Sequence, residues 1–132
     1  SKPFLGVCVG MQMLFEHSEE GDTPGLGLVA GRVKRFRPKD SSQKVPHMGW
    51  NEVVHTRDHA LWQDIPSAQR FYYVHSFFCE PVNPVLAIAT TDYCAPFAAA
   101  LAVKNLAAVQ FHPEKSHTAG LRFYRNFLTW RP

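Results

Sequence analysis

Two distant parts of the chain carry side chains with the chemistry for nucleophilic catalysis: Cys8 near the start, and the pair His112 and Glu114 near the end. Cys8 follows a short apolar run that predicts a buried strand, and it lies midway between Gly6 and Gly10. This pattern is typical of a nucleophile elbow, a tight strand-to-helix turn that strains the central residue and exposes its side chain. The pattern therefore predicts a reactive thiol.

The elbow carries two expectations about its surroundings. A Cβ atom at Gly6 or at Gly10 would collide with neighbouring elements, so both positions are expected to require glycine. The N–H groups at the start of the following helix are expected to favour the thiolate form of Cys8. A free cysteine is also often just a buried small residue, so a catalytic interpretation needs a base elsewhere in the chain.

The His112-Pro113-Glu114 segment supplies that base. Residues two apart in an extended segment point to the same side, and Pro113 stiffens the backbone between them. A carboxylate that binds one ring nitrogen fixes the tautomer and leaves the other nitrogen to accept the thiol proton. The residues therefore predict a Cys-His-Glu triad.

Two other interpretations of the polar residues are weaker. His55 and His59, and likewise His112 and His117, are closely spaced, but neither pair forms a known zinc motif, and the proline after His112 prevents a helical ligand pair. We therefore expect neither a metal nor a cofactor.

Alternating basic residues predict the solvated face of a strand rather than a nucleic-acid or phosphate site. These basic residues are Arg32, Lys34, Arg35, Arg37, Lys39 and Lys44.

Composition predicts one soluble domain. The 132 residues are 45% hydrophobic and 19% charged, which excludes a disordered chain, and no apolar run has the length of a membrane helix. The three cysteines, Cys8, Cys79 and Cys94, do not suggest a disulfide framework, so we expect a cytoplasmic protein. Because a strand and an active-site turn fill the first ten residues, we expect the carboxy-terminal part of a longer chain.

The spacing of apolar residues predicts a mainly β arrangement with one helix after the elbow and one at the end. Met11, Leu14 and Phe15 predict the first helix, and Ser116 is the expected cap of the last. The result is the mostly β remainder of an α/β domain with the elbow strand at its centre. Strands are predicted at 28–36, 51–55, 71–78, 85–91, 97–103 and 107–111. A helical turn is predicted at 61–65 and a loop at 45–50. The predicted apolar stripe of the last helix consists of Leu121, Tyr124, Phe127 and Leu128.

Residues 6–12 and 110–116 resemble the two catalytic motifs of the class I, or triad, glutamine amidotransferases. Residues 46–51 and 73–77 are further similar to the glutaminase subunits of imidazole glycerol phosphate synthases, enzymes of histidine biosynthesis. The resemblance implies an α/β fold with a flavodoxin-like central sheet plus antiparallel strands. It also implies that the N-terminal half of the sheet is missing and that 1–132 is a partial domain of this type.

The resemblance assigns roles to individual residues. Cys8 would attack the side-chain amide of glutamine and form a thioester, His112 would transfer the protons, and Glu114 would orient the imidazole. The Val9 N–H would be an oxyanion donor. The residues implied to contact glutamine are Gln12, Ser76 and Phe77.

The family also implies a protein partner. Ammonia would pass to a (β/α)8-barrel cyclase subunit that makes imidazole glycerol phosphate and the aminoimidazole carboxamide ribotide. Two alternatives remain open, a glutaminase subunit of the anthranilate synthase type and an inactive truncated docking module, and the isolated chain is expected to hydrolyse glutamine poorly. The residues implied at the docking side are His47, Met48, Gly49, Trp50, Asn51, Tyr73 and Lys115.

Overall fold

The chain, described in a computed structural model for residues 2–132, forms two β-sheets and two helices. Ser1 lies outside the described residues. The helices are α1 (Val9–Gln12) and α2 (His117–Thr129). The strands are β1 (Phe4–Val7), β2 (Phe15–Ser18), β3 (Thr23–Pro24), β4 (Val29–Arg35), β5 (His47–His55), β6 (Gln69–His75), β7 (Phe77–Pro81), β8 (Ala87–Tyr93), β9 (Ala95–Val103) and β10 (Leu106–Val109), and 3₁₀ turns lie at Glu20–Asp22, Ala60–Trp62, Pro84–Leu86 and Pro113–Lys115.

The larger sheet has the strand order β1-β10-β9-β8-β5-β6, and its first pair determines where the catalytic residues lie. Strand β1 pairs with β10 in parallel, with Val7 opposite Val109, whereas the other pairs of this sheet are antiparallel. Parallel neighbours end at the same edge, so the residues after Val7 and after Val109 emerge side by side. Among the described residues β1 is an outer strand, so the expectation of a central elbow strand is wrong here.

The larger sheet curls until its far strand approaches this same edge. The N–H of His112 donates to the carbonyl of Tyr72 in β6 at 2.8 Å, and the rings of Phe71 and Phe111 pack with centroids 4.2 Å apart. The smaller sheet, ordered β3-β2-β4-β7, packs Phe15 and neighbouring apolar residues against the elbow side. The α/β class with added antiparallel strands is confirmed.

Helix α2 buries a face that overlaps only partly with its predicted stripe, of which Tyr124 and Phe127 pack against the core. Leu121 and Leu128 are exposed, whereas Ala119, Phe123 and Asn126 are buried. The polar Asn126 fits in the interior because its Nδ2 atom donates to two backbone carbonyls, each at 2.8 Å. A stripe chosen by hydrophobicity alone missed this satisfied amide.

No helix within residues 2–132 has the length and apolar character to cross a membrane.

Three further element predictions are wrong, and each of them involves a strand. The helix after the elbow ends at Gln12, because Phe15–Ser18 forms β2, which pairs in parallel with β4. The expected loop at 45–50 instead contributes His47 to Trp50 to β5, paired with β6. The aromatic run at 71–78 divides at Ser76 into β6 and β7, which belong to different sheets.

Candidate active site

Cys8 has the backbone conformation expected of an elbow nucleophile. Its φ of 54° and ψ of −109° lie in a region that non-glycine residues rarely adopt, between β1 and α1. A Cβ atom at Gly6 would lie 2.9 Å from the carbonyl oxygen of Gly10, which confirms the steric requirement there. A Cβ atom at Gly10 would meet nothing within 4 Å, so the expectation for that glycine is wrong.

The thiol of Cys8 is buried and lies among polar groups. Its Sγ atom is 3.6 Å from the donating Nε2 atom of Gln110 and 4.0 Å from the carbonyl oxygen of Val74. Burial raises the pKa of the Cys8 thiol, although the Val9 N–H and the Gln110 amide oppose this effect. The expected effect of the helix N–H groups is therefore present at Val9, but burial outweighs it, so the resting thiol needs a base.

His112 has the geometry of that base. Its Nδ1 atom lies 2.7 Å from Oε2 of Glu114, so the carboxylate holds the ring in the tautomer that leaves Nε2 unprotonated. That Nε2 atom is buried and makes no hydrogen bond within residues 2–132. The N–H of Cys8 donates to the carbonyl of Val109 at 2.8 Å, which anchors the elbow beside the end of β10. The fold brings thiol and imidazole to one edge without a hydrogen bond between them.

The segment that carries the base and its acid is tightly held. A Cβ atom at Gly120 of α2 would lie 1.8 Å from the carbonyl oxygen of Pro113, so only glycine permits this approach. The Oγ atom of Ser116 donates to the carbonyl of His112 at 2.6 Å and accepts from the N–H of Tyr72 at 2.9 Å. The serine therefore crosslinks the segment to β6, and it holds the N-cap position of α2 as predicted, although its side chain makes no capping bond.

Gln12 faces inward, and its carboxamide has a defined orientation. Its Nε2 atom donates to the carbonyl oxygen of Phe77 and to Oε1 of Gln110, both at 3.2 Å. Because an amide nitrogen carries two hydrogens, these bonds use its donor capacity and leave the Oε1 atom of Gln12 as an acceptor for a ligand. Gln110, which the sequence interpretation did not single out, links Gln12 to the thiol of Cys8.

A cavity of about 400 Å³ opens beside the elbow. Glu20 is the one charged side chain on its wall within the described residues. Burial is the main cause of the raised pKa of Cys8, and the negative charge of Glu20 is a minor one. The sequence interpretation missed Glu20 because the polar run 16–21 predicts only the end of a helix. The lining residues are Val9, Gln12, Met13, Ser18, Glu20, Thr23, Pro24, Gly25 and Leu26.

Of the two backbone positions implied to bind substrate, Ser76 lies between β6 and β7 and Phe77 is the first residue of β7. The carbonyl oxygen of Phe77 accepts from Gln12 and from Nδ1 of His75, the latter at 2.7 Å, and the carbonyl of Ser76 accepts from the N–H of Phe36 at 3.1 Å. Two donors fill the lone pairs of the Phe77 carbonyl. This backbone can therefore offer a ligand mainly its N–H groups, which suit a carboxylate.

The implied docking residues fall into two groups. Met48 and Trp50 are 61% and 43% exposed, Lys115 is exposed, and Trp50 stacks on His117 at 5.3 Å. His47 and Tyr73 are buried, so their placement on a docking surface is wrong in this structure, since strand alternation turns them inward. Gly49 and Asn51 share that inward side and are half-buried.

The side chains considered for metal or anion binding have structural partners. His55 stacks on Trp62 at 4.5 Å, and Nδ1 of His59 accepts from the N–H of Leu61. Within residues 2–132, no group of three or more potential ligands is placed to hold a metal ion. On β4, Arg32 and Lys34 flank the buried Val33, and Lys34 pairs with Glu80 at 2.8 Å, as expected of a solvated strand face.

Comparison with known proteins agrees with this geometry. The family model described as glutamine amidotransferase class-I matches residues 1–130. The chain is 53% identical to the imidazole glycerol phosphate synthase subunit HisH of Aromatoleum aromaticum, over 100% of this chain and 65% of that protein. It is 51% identical to the subunit of the same name from Neisseria meningitidis serogroup B, over 98% of this chain and 64% of that protein.

The chain thus spans a little less than two thirds of the curated relatives it matches. Among solved structures, the glutaminase domain of the Trypanosoma brucei CTPS with bound acivicin is similar, with a TM-score of 0.63 at 17% identity. That match covers 98% of this chain and 61% of the other. At this identity the likeness concerns the fold alone.

Proposed function

The chain belongs to the class-I glutamine amidotransferase family, and from this premise we propose that it releases ammonia from the side-chain amide of glutamine. The observation that carries the proposal is the strained Cys8 at the same sheet edge as the free Nε2 atom of His112. We also propose that residues 1–132 form part of a single amidotransferase domain.

In the proposed reaction, Sγ of Cys8 attacks the amide carbon while Nε2 of His112 takes the thiol proton. Glu114 stabilises the resulting imidazolium through Nδ1, and the N–H of Val9 donates to the oxyanion that develops on the amide oxygen. Collapse of this intermediate breaks the C–N bond, and the imidazolium protonates the leaving ammonia. Water activated by His112 then hydrolyses the thioester, which releases glutamate and restores the thiol.

The cavity beside the elbow offers complementary groups for the amino-acid end of glutamine. The carboxylate of Glu20 would pair with the α-ammonium group, and Oε1 of Gln12 would accept from an N–H group of the substrate. Ser76 and Phe77 do not line this cavity, but Phe77 contacts Gln12, and the backbone N–H groups of both would donate to the α-carboxylate. Charge and hydrogen-bond direction together favour a free amino acid with a terminal amide.

The proposed partner is a (β/α)8-barrel cyclase subunit, which would use the ammonia to make imidazole glycerol phosphate and the aminoimidazole carboxamide ribotide. The names of the relatives support a synthase complex of histidine biosynthesis. The proposed docking surface is the exposed apolar face at Met48 and Trp50. Lys115 belongs to this surface as well, because it lies two residues before His117, which stacks on Trp50. The anthranilate synthase type and the inactive docking module are not favoured.

The test measures formation of imidazole glycerol phosphate by the chain together with the cyclase subunit. Cys8→Ala is expected to abolish synthesis with glutamine and to retain synthesis with added ammonium chloride, because the cyclase needs only the nitrogen. Cys79→Ala is the matched control, since Cys79 is buried in the smaller sheet. Equal glutamine-dependent synthesis by native chain and Cys8→Ala would refute the proposal.

A further inference from the structure

Two buried histidines that the proposed reaction does not use, His47 and His75, hydrogen-bond to each other. Nδ1 of His47 lies 2.9 Å from Nε2 of His75, and both side chains are buried. At one end of the pair, Nε2 of His47 lies 3.2 Å from Nδ2 of Asn51. At the other end, Nδ1 of His75 lies 2.7 Å from the carbonyl oxygen of Phe77, the same oxygen that accepts from Gln12.

The direction of every hydrogen bond in this row follows from its outer end. Oδ1 of Asn51 accepts from the N–H of Glu52 at 2.7 Å, and its Nδ2 atom donates to the carbonyl of Asp92 at 3.1 Å. The amide orientation is thereby fixed, so Nδ2 of Asn51 donates to Nε2 of His47. A neutral His47 must then carry its proton on Nδ1 and donate to Nε2 of His75, which in turn donates from Nδ1 to Phe77.

The surroundings of the pair favour the neutral rings that this direction requires. His47 stacks between Tyr73 and Tyr93, with ring centroids 4.7 and 4.1 Å away, and Phe36 packs edge-on against His75 at 5.0 Å. Burial lowers the pKa of His47 to about 4 and that of His75 to about 3. A proton on either acceptor nitrogen would place two donors face to face.

We propose that His75 is a positioning residue of the glutamine site. His75 is the last member of the hydrogen-bonded row that runs from Asn51 through His47, and it holds the Phe77 carbonyl in the position that orients the Gln12 amide. This inference rests on the proposed glutaminase function. The Phe77 oxygen is one of two acceptors that determine which way the Gln12 amide points. Without His75, the carbonyl loses one of its two donors and the Gln12 amide loses a fixed acceptor, so its Oε1 atom no longer faces the ligand in one orientation.

The first experiment compares two amides at position 75 in glutamine turnover with the cyclase subunit present. In His75→Asn the amide nitrogen can replace Nδ1 and keep the bond to Phe77, whereas in His75→Gln the amide extends towards the Nε2 position and loses it. We expect the KM for glutamine to rise about tenfold or more in His75→Gln, with a smaller change in kcat, and to stay within about threefold in His75→Asn. His55→Gln, which changes a stacked histidine outside the row, is the matched control.

The second experiment does not depend on activity. Long-range ¹H–¹⁵N correlation spectra at pH 7 are expected to show both His47 and His75 neutral with the proton on Nδ1. A proton on Nε2 of either ring overturns the proposal, as does an equal KM in His75→Gln and His75→Asn. Absence of glutamine turnover in the native complex would instead overturn the proposed function, and the spectra would then decide the row of hydrogen bonds alone.

Discussion

The two glycines that flank Cys8 are expected to respond in opposite ways to the same substitution. In Gly6→Ala the new Cβ atom would lie 2.9 Å from the oxygen and 3.0 Å from the carbon of the Gly10 carbonyl. These are backbone atoms of α1 that cannot rotate away, and such overpacking costs about 1–3 kcal/mol. In Gly10→Ala nothing lies within 4 Å, and alanine in a helix is favoured over glycine by about 0.5–1 kcal/mol.

The free energies of unfolding of the two variants are therefore expected to differ by about 1.5–4 kcal/mol, with Gly10→Ala the more stable. Urea unfolding followed by circular dichroism measures this difference by linear extrapolation. A second readout is the alkylation rate of Cys8 by iodoacetamide, which should change in Gly6→Ala because a displaced α1 moves the thiol. Equal stabilities, or a less stable Gly10→Ala, would refute the steric reasoning about the elbow.

Three further expectations concern Gln110, Gly120 and His75. Gln110→Leu removes the donor to Sγ of Cys8, so the pKa of the thiol should rise. Alkylation of Cys8 at pH 8 should slow by about tenfold, the magnitude expected for a lost hydrogen bond to a charged group. An unchanged pH profile of the alkylation rate would contradict this. Gly120→Ala places Cβ 1.8 Å from a backbone oxygen and should cost about 3 kcal/mol in urea unfolding, whereas a neutral result would mean that α2 can move freely. The pKa of His75 is about 3 in the folded protein and near 6.5 in the unfolded chain, so the neutral ring contributes fully to stability above pH 6.5, and this contribution falls by about 1.4 kcal/mol per pH unit below that. In His75→Gln, the plot of unfolding free energy against pH, measured with urea between pH 4.5 and 6, should therefore have a slope shallower by about one proton. An equal slope in the native protein and the variant would contradict this.

The catalytic residues of the site were easier to predict from the sequence than the residues that surround and orient them. Cys8 between glycines and the His112-Pro113-Glu114 segment have short-range signatures, because a strained turn and an extended triplet constrain their own residue types. Gln110 and Glu20 carry no such signature. Their roles depend on contacts with residues far away in the sequence, such as the bond between Gln110 and Gln12, 98 positions apart.

The errors in secondary structure have the same physical origin. Pro46 and Gly49 favour a loop locally, but seven paired positions with β6 make His47–His55 a strand. The inward side of that strand carries His47, a polar residue that is buried only because His75 and Asn51 satisfy it. A pattern read from hydrophobicity cannot include a partner 28 residues away.

The central claim is that the thiol of Cys8 and the imidazole of His112 act together on a glutamine-like molecule. Its most direct test is mass-spectrometric mapping of the chain after reaction with a diazo-ketone analogue of glutamine, in the native protein and in His112→Gln. We expect labelling at Cys8 rather than at Cys79 or Cys94, and a rate at least about 100-fold lower in His112→Gln, because general base catalysis contributes about 10²–10⁴-fold. Labelling at another cysteine, or equal rates in the two proteins, would contradict the claim.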